Sequence, residues 1–344
     1  MKRTVKIGGV SVGGGNPVAV QTMAKAAATD IKAIIEQAAA AKEAGCDIFR
    51  VAVPDMSAAA ALREIRRNID MPLVADIHFD YKLAIAAAKN RADKVRINPG
   101  NIKKAGLKEL TAALKDLRVP VRVGVNGGSL EKSYKNSSDR ASALASSAMD
   151  AIRLMEDLGF YDIVASLKSS SAAETVAAYR QIDKLCQYPL HIGVTEAGTP
   201  ERGIIKSAAA LGSLLLDGIG DTVRISLAAD PTAEVKAARE LLRAVGLDKS
   251  FVEVIACPRC GRCGYDVGGL AQKVEDYTRN VKKPLKIAVM GCVVNGSGEA
   301  GACDLGIAFG GDKAVVFKDG SVLKTVGADD AEGCLFEEIK KLLL

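Results

Sequence analysis

The 344-residue chain has no tryptophan, only two histidines (His78 and His191) and 4% aromatic residues. Base-stacking platforms for nucleic acid and interfacial aromatic belts both need such rings, so neither can be argued. Two histidines are too few for a His-rich metal site. No segment reaches the roughly eighteen apolar residues of a membrane-spanning helix. The opening Met1-Lys2-Arg3-Thr4 runs into polar and glycine residues without an apolar signal core, so the expected location is the cytoplasm. Lys/Arg runs are missing too: the net charge of +6 is spread along the chain, which argues against nucleic acid as a partner. No GxGxxG motif follows the first strand-like run, and a dinucleotide-binding reading fails with it.

What is present is globular, with 49% apolar and 26% charged residues. From residue 17, short β-branched runs alternate with Ala/Leu-rich helical stretches. Strands are expected at 18–22, 48–53, 73–77, 94–97, 119–125, 163–167, 190–194 and 222–227. Helices are expected between them at 30–44, 57–68, 81–90, 106–116, 138–158, 173–185, 203–214 and 232–245. Steps of roughly 20–40 residues suit parallel strands joined by crossover helices, so the fold class is α/β. A closed (β/α)8 TIM barrel is favoured, with an open doubly wound sheet as the alternative. Gly13-Gly14-Gly15 precede the first strand and suit a hairpin or turn closing the barrel base. The Ala-rich stretches 57–61 and 84–88 read as helix surfaces.

Beyond residue 250, Cys/Gly loops separate strands at 252–255, 286–290, 305–309 and 314–318, with helices at 267–280 and 330–343. The expected domains are a barrel over 1–247 and a small α+β domain over 248–344.

In a (β/α)8 barrel the functional groups sit where strands end and βα loops begin. Those positions are charged here: Arg50, then Asp76, His78 and Asp80, then Arg96 and Asn98, then Arg122 and Asn126. Lys168 and Ser169, Glu196, Lys206, and Asp221 with Arg224 continue the series. Buried Arg and Lys need anionic partners to offset desolvation. Internal salt bridges are one source and a phosphorylated substrate another; Arg, Lys, Asn and Ser donors converging on one face suit a diphosphate-sized anion. Asp76, Glu196 and Asp221 are then candidates for proton transfer. His191 reads as a core residue and His78 as a functional one.

Eight cysteines without an export signal argue for metal or redox use rather than disulfides. Cys257-Pro-Arg-Cys260 follows one strand and Cys292 another. Soft thiolates at that spacing suit zinc, with Cys263 or Cys303 as fourth ligand, or an iron–sulfur cluster. Pro258 and the turn that presents Glu299 favour iron, because a carboxylate is a labile ligand where iron must exchange it for substrate oxygen. Cys46, Cys186 and Cys334 lie in apolar surroundings and read as core.

These segments together resemble one family, the 4-hydroxy-3-methylbut-2-enyl diphosphate synthases of the non-mevalonate isoprenoid pathway. The resemblance is carried by Val20-Gln21-Thr22-Met23, Leu73 to Tyr81 (LVADIHFDY), Arg96 to Asn101 (RINPGN), Gly193 to Gly198 (GVTEAG) and Met290 to Gly296 (MGCVVNG). It implies a sulfite-reductase-like small domain holding a [4Fe-4S] cluster on Cys257, Cys260, Cys292 and Glu299. It implies reductive opening and dehydroxylation of 2-C-methyl-D-erythritol 2,4-cyclodiphosphate, docked on Arg50, Arg96, Arg122 and Lys206 with Asn98 and Asn126 assisting. Electrons are expected from a flavodoxin or ferredoxin, and the chain is expected to form a head-to-tail homodimer. The chain departs from the family pattern at Ser297, where proline is usual, and at Cys263, an added thiol that competes with Glu299. The rival readings are a pterin-binding barrel transferase and a non-enzymatic redox sensor.

Overall fold

Two short strands, β1 (Val5–Ile7) and β2 (Val10–Val12), pair antiparallel ahead of the barrel. Their Val5, Ile7 and Val12 are buried against Ala19, Ile48, Val74 and Val164, so the hairpin is an apolar plug in the barrel base. This is the closure anticipated from the glycine run. The two strands themselves were not foreseen, because three-residue strands carry too little alternation to read. The computed structural model describes residues 2–130, 134, 137–292 and 303–344. The chain divides into two units, Met1–Leu247 and Asp248–Leu344.

The first unit is a (β/α)8 barrel. Its parallel strands are β3 (Ala19–Met23), β4 (Ile48–Ala52), β5 (Leu73–Asp76), β6 (Lys94–Ile97), β7 (Val121–Asn126), β8 (Ile163–Lys168), β9 (His191–Ile192) and β10 (Thr222–Val223). They run in the order β8-β7-β6-β5-β4-β3-β10-β9, and a parallel bridge between Ala165 and Leu190 closes the ring. β9 and β10 are shorter than expected. Beyond them the Arg224 amide still donates to the Ile192 carbonyl at 3.1 Å.

Helices α1 (Ile31–Glu43), α2 (Met56–Asn68), α3 (Tyr81–Lys89), α4 (Lys104–Leu117), α5 (Arg140–Glu156), α6 (Ala172–Leu185), α7 (Pro200–Leu216) and α8 (Pro231–Ala244) cover the outside. Several start on a side chain that accepts an amide of the first turn: Asp30, Asp55, Asp80, Asp139, Ser171 and Asp230. Asp80, grouped above with the strand-end charges, therefore caps α3. The alanine stretches are corrected as well. Ala58, Ala59, Ala84, Ala87 and Ala88 are buried, so they let α2 and α3 approach the sheet closely. Each fully buried large neighbour, such as Leu62 or Ile65, adds about 1.5–3 kcal/mol.

Strand periodicity then dictates what lines the lumen. Ala19, Ile48, Val74 and Val164 face the basal plug, so residues two further along face inward one layer higher: Gln21, Arg50, Asp76 and Ser166. Lys94 and Arg96 on β6, and Arg122 on β7, join them. A barrel interior usually holds branched apolar side chains; here only the base does.

The second unit is a five-stranded sheet in the order β11 (Val252–Ala256), β12 (Leu285–Met290), β13 (Leu305–Gly310), β14 (Lys313–Lys318) and β15 (Ser321–Gly327). The first three are parallel and the last two antiparallel. α9 (Val267–Thr278) and α10 (Ala331–Leu343) bury Val267, Leu270, Val274, Leu335 and Ile339 against it. β15 was not anticipated, because it is an edge strand exposed along much of its length and lacks an apolar face.

Candidate active site

The lumen and mouth of the barrel hold Arg50, Lys94, Arg96, Arg122 and Lys168, all buried, around the carboxylate of Asp76. Asp76 Oδ2 accepts from Arg50 Nη2 at 2.5 Å, and its Oδ1 lies 3.4 Å from Arg96 Nη1. Burial opposes its charge, but Arg50, His78, Arg96 and Arg122 together hold its carboxyl well below the usual carboxylate range. As a carboxylate it anchors the Arg50 and Arg96 guanidiniums, and in proton transfer it suits accepting rather than giving. Glycines make the space. A Cβ on Gly124 would stand 2.6 Å from Arg96 Nε, and one on Gly193 2.6 Å from Lys168 Nζ.

One carboxylate does not neutralise this ring. Among the described residues, Arg50 Nε, Lys94 Nζ, Arg96 Nε and Arg122 Nε and Nη1 are buried without a hydrogen-bond partner. Burial, with Arg122 and Arg50 alongside, pushes the Lys94 amine well below its ordinary range. Lys168 shifts the same way, from burial first and then from Arg122, Arg224, Arg50 and Arg96. An unsatisfied buried donor costs about 1–3 kcal/mol, more when charged. Several such donors in one lumen are chemically suited to receive an anion.

His78 is exposed beside this ring, with Nε2 3.1 Å from Arg96 Nη1 and 3.6 Å from Asp76 Oδ2. His191 is fully buried: Nε2 lies 3.2 Å from Lys168 Nζ and Nδ1 2.6 Å from Thr222 Oγ1. Burial, then Lys168 and further cations, keep its imidazole well below its usual range. Asn98 is buried after β6 and its Oδ1 accepts from the Gly100 amide. Asn126 ends β7; with its amide oxygen turned toward Arg96 it accepts from Nη2 at 3.3 Å.

Glu196 lies exposed on the loop after β9 at φ 51°, a left-handed conformation unusual for glutamate. Lys206, on the second turn of α7, donates to the Ser170 carbonyl at 3.3 Å. Asp221 is not at the mouth. It precedes β10, accepts from the Leu190 amide at 2.7 Å, and lines a basal cleft of about 650 Å³ with Lys2, Asn16 and Asp183. Residues that precede a barrel strand lie at the end away from the mouth, which removes Asp221 from the chemistry.

Three residues of the lumen and its rim went unread in the sequence. Lys94 and Gln21 face the lumen, and Glu234 on α8 is buried at 1% exposure beneath Arg224. Each left a signal: Lys94 shares a strand face with Arg96, and Glu234 interrupts the apolar stripe of Pro231, Val235, Ala238 and Leu242.

In the second unit β11 and β12 are parallel neighbours, and Cys257 and Cys292 follow their ends. The Cys257 amide donates to the Val289 carbonyl at 2.9 Å, and the Cys263 amide to the Cys260 carbonyl at 3.0 Å. Cys260 is exposed, and the Arg262 backbone amide and guanidinium lower its thiol pKa. Soft thiols at adjacent strand ends are the donor set an iron–sulfur cluster needs. Among the described residues no three ligand-type side chains close on one point, and Glu299 lies outside the described residues. Cys263 turns inward, donating to the Tyr265 carbonyl at 3.3 Å and packing against Gly291. Cys303 is buried with Met290, Ala308 and Phe317.

Comparison with known proteins agrees with the two-part layout. Residues 2–239 match the family model of the GcpE TIM-barrel domain, and residues 253–341 that of the GcpE protein C-terminal domain. The chain belongs to the GcpE family. Among curated GcpE-like relatives, a 4-hydroxy-3-methylbut-2-en-1-yl diphosphate synthase (flavodoxin) of Caldanaerobacter subterraneus is 50% identical, covering 100% of this chain and 98% of the relative. A synthase of the same name from Fusobacterium nucleatum is 46% identical over 99% and 96%. Among solved structures, dihydropteroate synthase from Stenotrophomonas maltophilia aligns with a TM-score of 0.55 at 15% identity, over 71% of this chain and 98% of its own. That likeness shows the barrel fold alone, so the pterin-binding alternative gains nothing beyond shared architecture.

Proposed function

We propose that this GcpE-family chain opens and reductively dehydroxylates 2-C-methyl-D-erythritol 2,4-cyclodiphosphate to 4-hydroxy-3-methylbut-2-enyl diphosphate, with flavodoxin as electron donor. The observation that carries the reading is the cationic lumen, where Arg50, Arg96, Arg122 and Lys168 are buried around one carboxylate and guanidinium donors go unpaired. A diphosphate supplies the missing negative charge, and guanidiniums grip its oxygens in pairs. Asp76 holds Arg50 and Arg96 in place for it. Asn98, Asn126 and Lys206 lie at or beside the same strand ends and complete the anion's contacts.

Two electrons and two protons enter, the ring opens, and one oxygen leaves as water. His78 and Glu196 are the exposed titratable groups among the mouth candidates, and they are assigned the proton transfers. The donor set of the second unit suits a [4Fe-4S] cluster on Cys257, Cys260, Cys292 and Glu299, which when bound supplies the electrons for C–O cleavage. Cys263 is left out of the ligand set because its thiol faces Tyr265 and the domain interior. The working form is taken to be a homodimer.

Anaerobic purification followed by iron, sulfide and zinc analysis tests this reading, together with turnover of the cyclic diphosphate by reduced flavodoxin. About four irons per chain with a brown chromophore are expected, lost in C257S, C260S and C292S and kept in C263S. Stoichiometric zinc without a chromophore would overturn it.

A further inference from the structure

Glu234 is hydrogen-bonded through both carboxylate oxygens, and every group it binds there sits at the seam between the first and last barrel strands. Its Oε2 accepts from Thr22 Oγ1 at 2.8 Å and from Arg224 Nε at 3.1 Å. Its Oε1 accepts from Lys25 Nζ at 2.7 Å, Arg224 Nη2 at 3.1 Å and the Leu227 amide at 3.2 Å. The side chain is fully buried, while the Arg224 and Lys25 side chains keep 12% and 38% exposure. Arg224 and Glu234 meet as a planar two-bond fork, which fixes a guanidinium in orientation as well as position. Among the described residues, the remaining edge, Nη1, is held only by a 3.6 Å contact to the Met23 sulfur. Arg224 also follows β10 on the mouth side and is close enough to Lys168 to help depress that amine.

We infer that Glu234 is a positioning residue for anion binding. Resting on the diphosphate reading above, it holds the Arg224 guanidinium by one edge so that the other is presented to a phosphate group at the mouth, with Lys25 steadied beside it. Two effects of opposite sign separate this from a general electrostatic role. Removing a negative charge from a cationic site strengthens its pull on an anion, whereas releasing a preorganised guanidinium weakens binding, because the side chain must be ordered anew.

The test is titration calorimetry of the full chain with inorganic pyrophosphate, alongside melting temperatures, for the unaltered protein, Glu234→Gln, Arg224→Met and the double variant. Glu234→Gln is expected to bind pyrophosphate about tenfold more weakly despite its higher positive charge, and the double variant no more weakly than Arg224→Met alone. Unchanged or tighter binding by Glu234→Gln, or losses that multiply in the double variant, would overturn the inference. If Glu234→Gln does not fold, Thr22→Val removes one hydrogen bond while keeping the carboxylate and the side-chain shape. It is expected to weaken binding about threefold, and unchanged affinity would overturn the inference equally. Failure of the unaltered chain to bind pyrophosphate would overturn the diphosphate reading and this inference with it.

Discussion

Replacing Asp76 by Asn removes the one carboxylate shared by Arg50 and Arg96 while keeping the volume of the side chain. Both guanidiniums are buried, at 8% and 3% exposure, and a guanidinium cannot escape the penalty by losing its proton. Removing one partner of a buried pair costs about 3–5 kcal/mol, because the other charge is left uncompensated. Against a typical total of about 5–15 kcal/mol this is a large share. For a unit of this size it corresponds to a fall in Tm of roughly 6–20 °C. Chemical denaturation of D76N, R50M and the double variant, with the transition of each unit followed separately, measures it. The pair shares one hydrogen bond at 2.5 Å, so the double variant should recover about 1–3 kcal/mol relative to the sum of the single losses. A D76N loss below about 1 kcal/mol, or strict additivity, would refute the claim that Asp76 is the counter-charge of the ring.

Three further outcomes follow from the same geometry. Gly124→Ala places a Cβ 2.6 Å from Arg96 Nε; the displaced guanidinium should lower turnover about 100-fold, against a stability loss of only about 1–3 kcal/mol, read by steady-state kinetics and melting. Asp221→Asn changes a residue at the base of the barrel, so kcat and KM should stay within about twofold of the unaltered enzyme. Burial and neighbouring cations hold the folded His191 imidazole well below the ordinary histidine value of about 6.5, so on acidification the unfolded chain takes up a proton that the folded chain refuses. Stability should therefore fall by about 1.4 kcal/mol per pH unit below that value until the folded pKa is reached. His191→Gln should flatten this part of a melting-against-pH series.

The strand and helix alternation was legible because period two and period 3.6 are local properties, and the barrel followed from counting them. Lys94-Val95-Arg96-Ile97 illustrates how far this goes. Its alternation says that two cations share one face, and the tertiary structure adds that this face is the lumen. Asp221 shows the limit: proximity to a strand was readable, but which end of the strand it occupies depended on where pairing begins. Cys257, Cys260 and Cys292 stand out in the sequence by their spacing after two strands, and the structure adds that those strands are parallel neighbours. Cys263 looked equivalent until its inward hydrogen bond to Tyr265 set it apart.

Composition and periodicity alone therefore determined the class of fold, the division into two parts, and the residue types available for an anion and a soft metal centre. They could do so because each depends on neighbours in sequence. Which carboxylates keep their charge, which glycines make room, and which cations lack partners were decided only by the closed barrel. Those properties come from desolvation and from contacts between residues as distant as Met23 and Arg224, or Thr22 and Glu234.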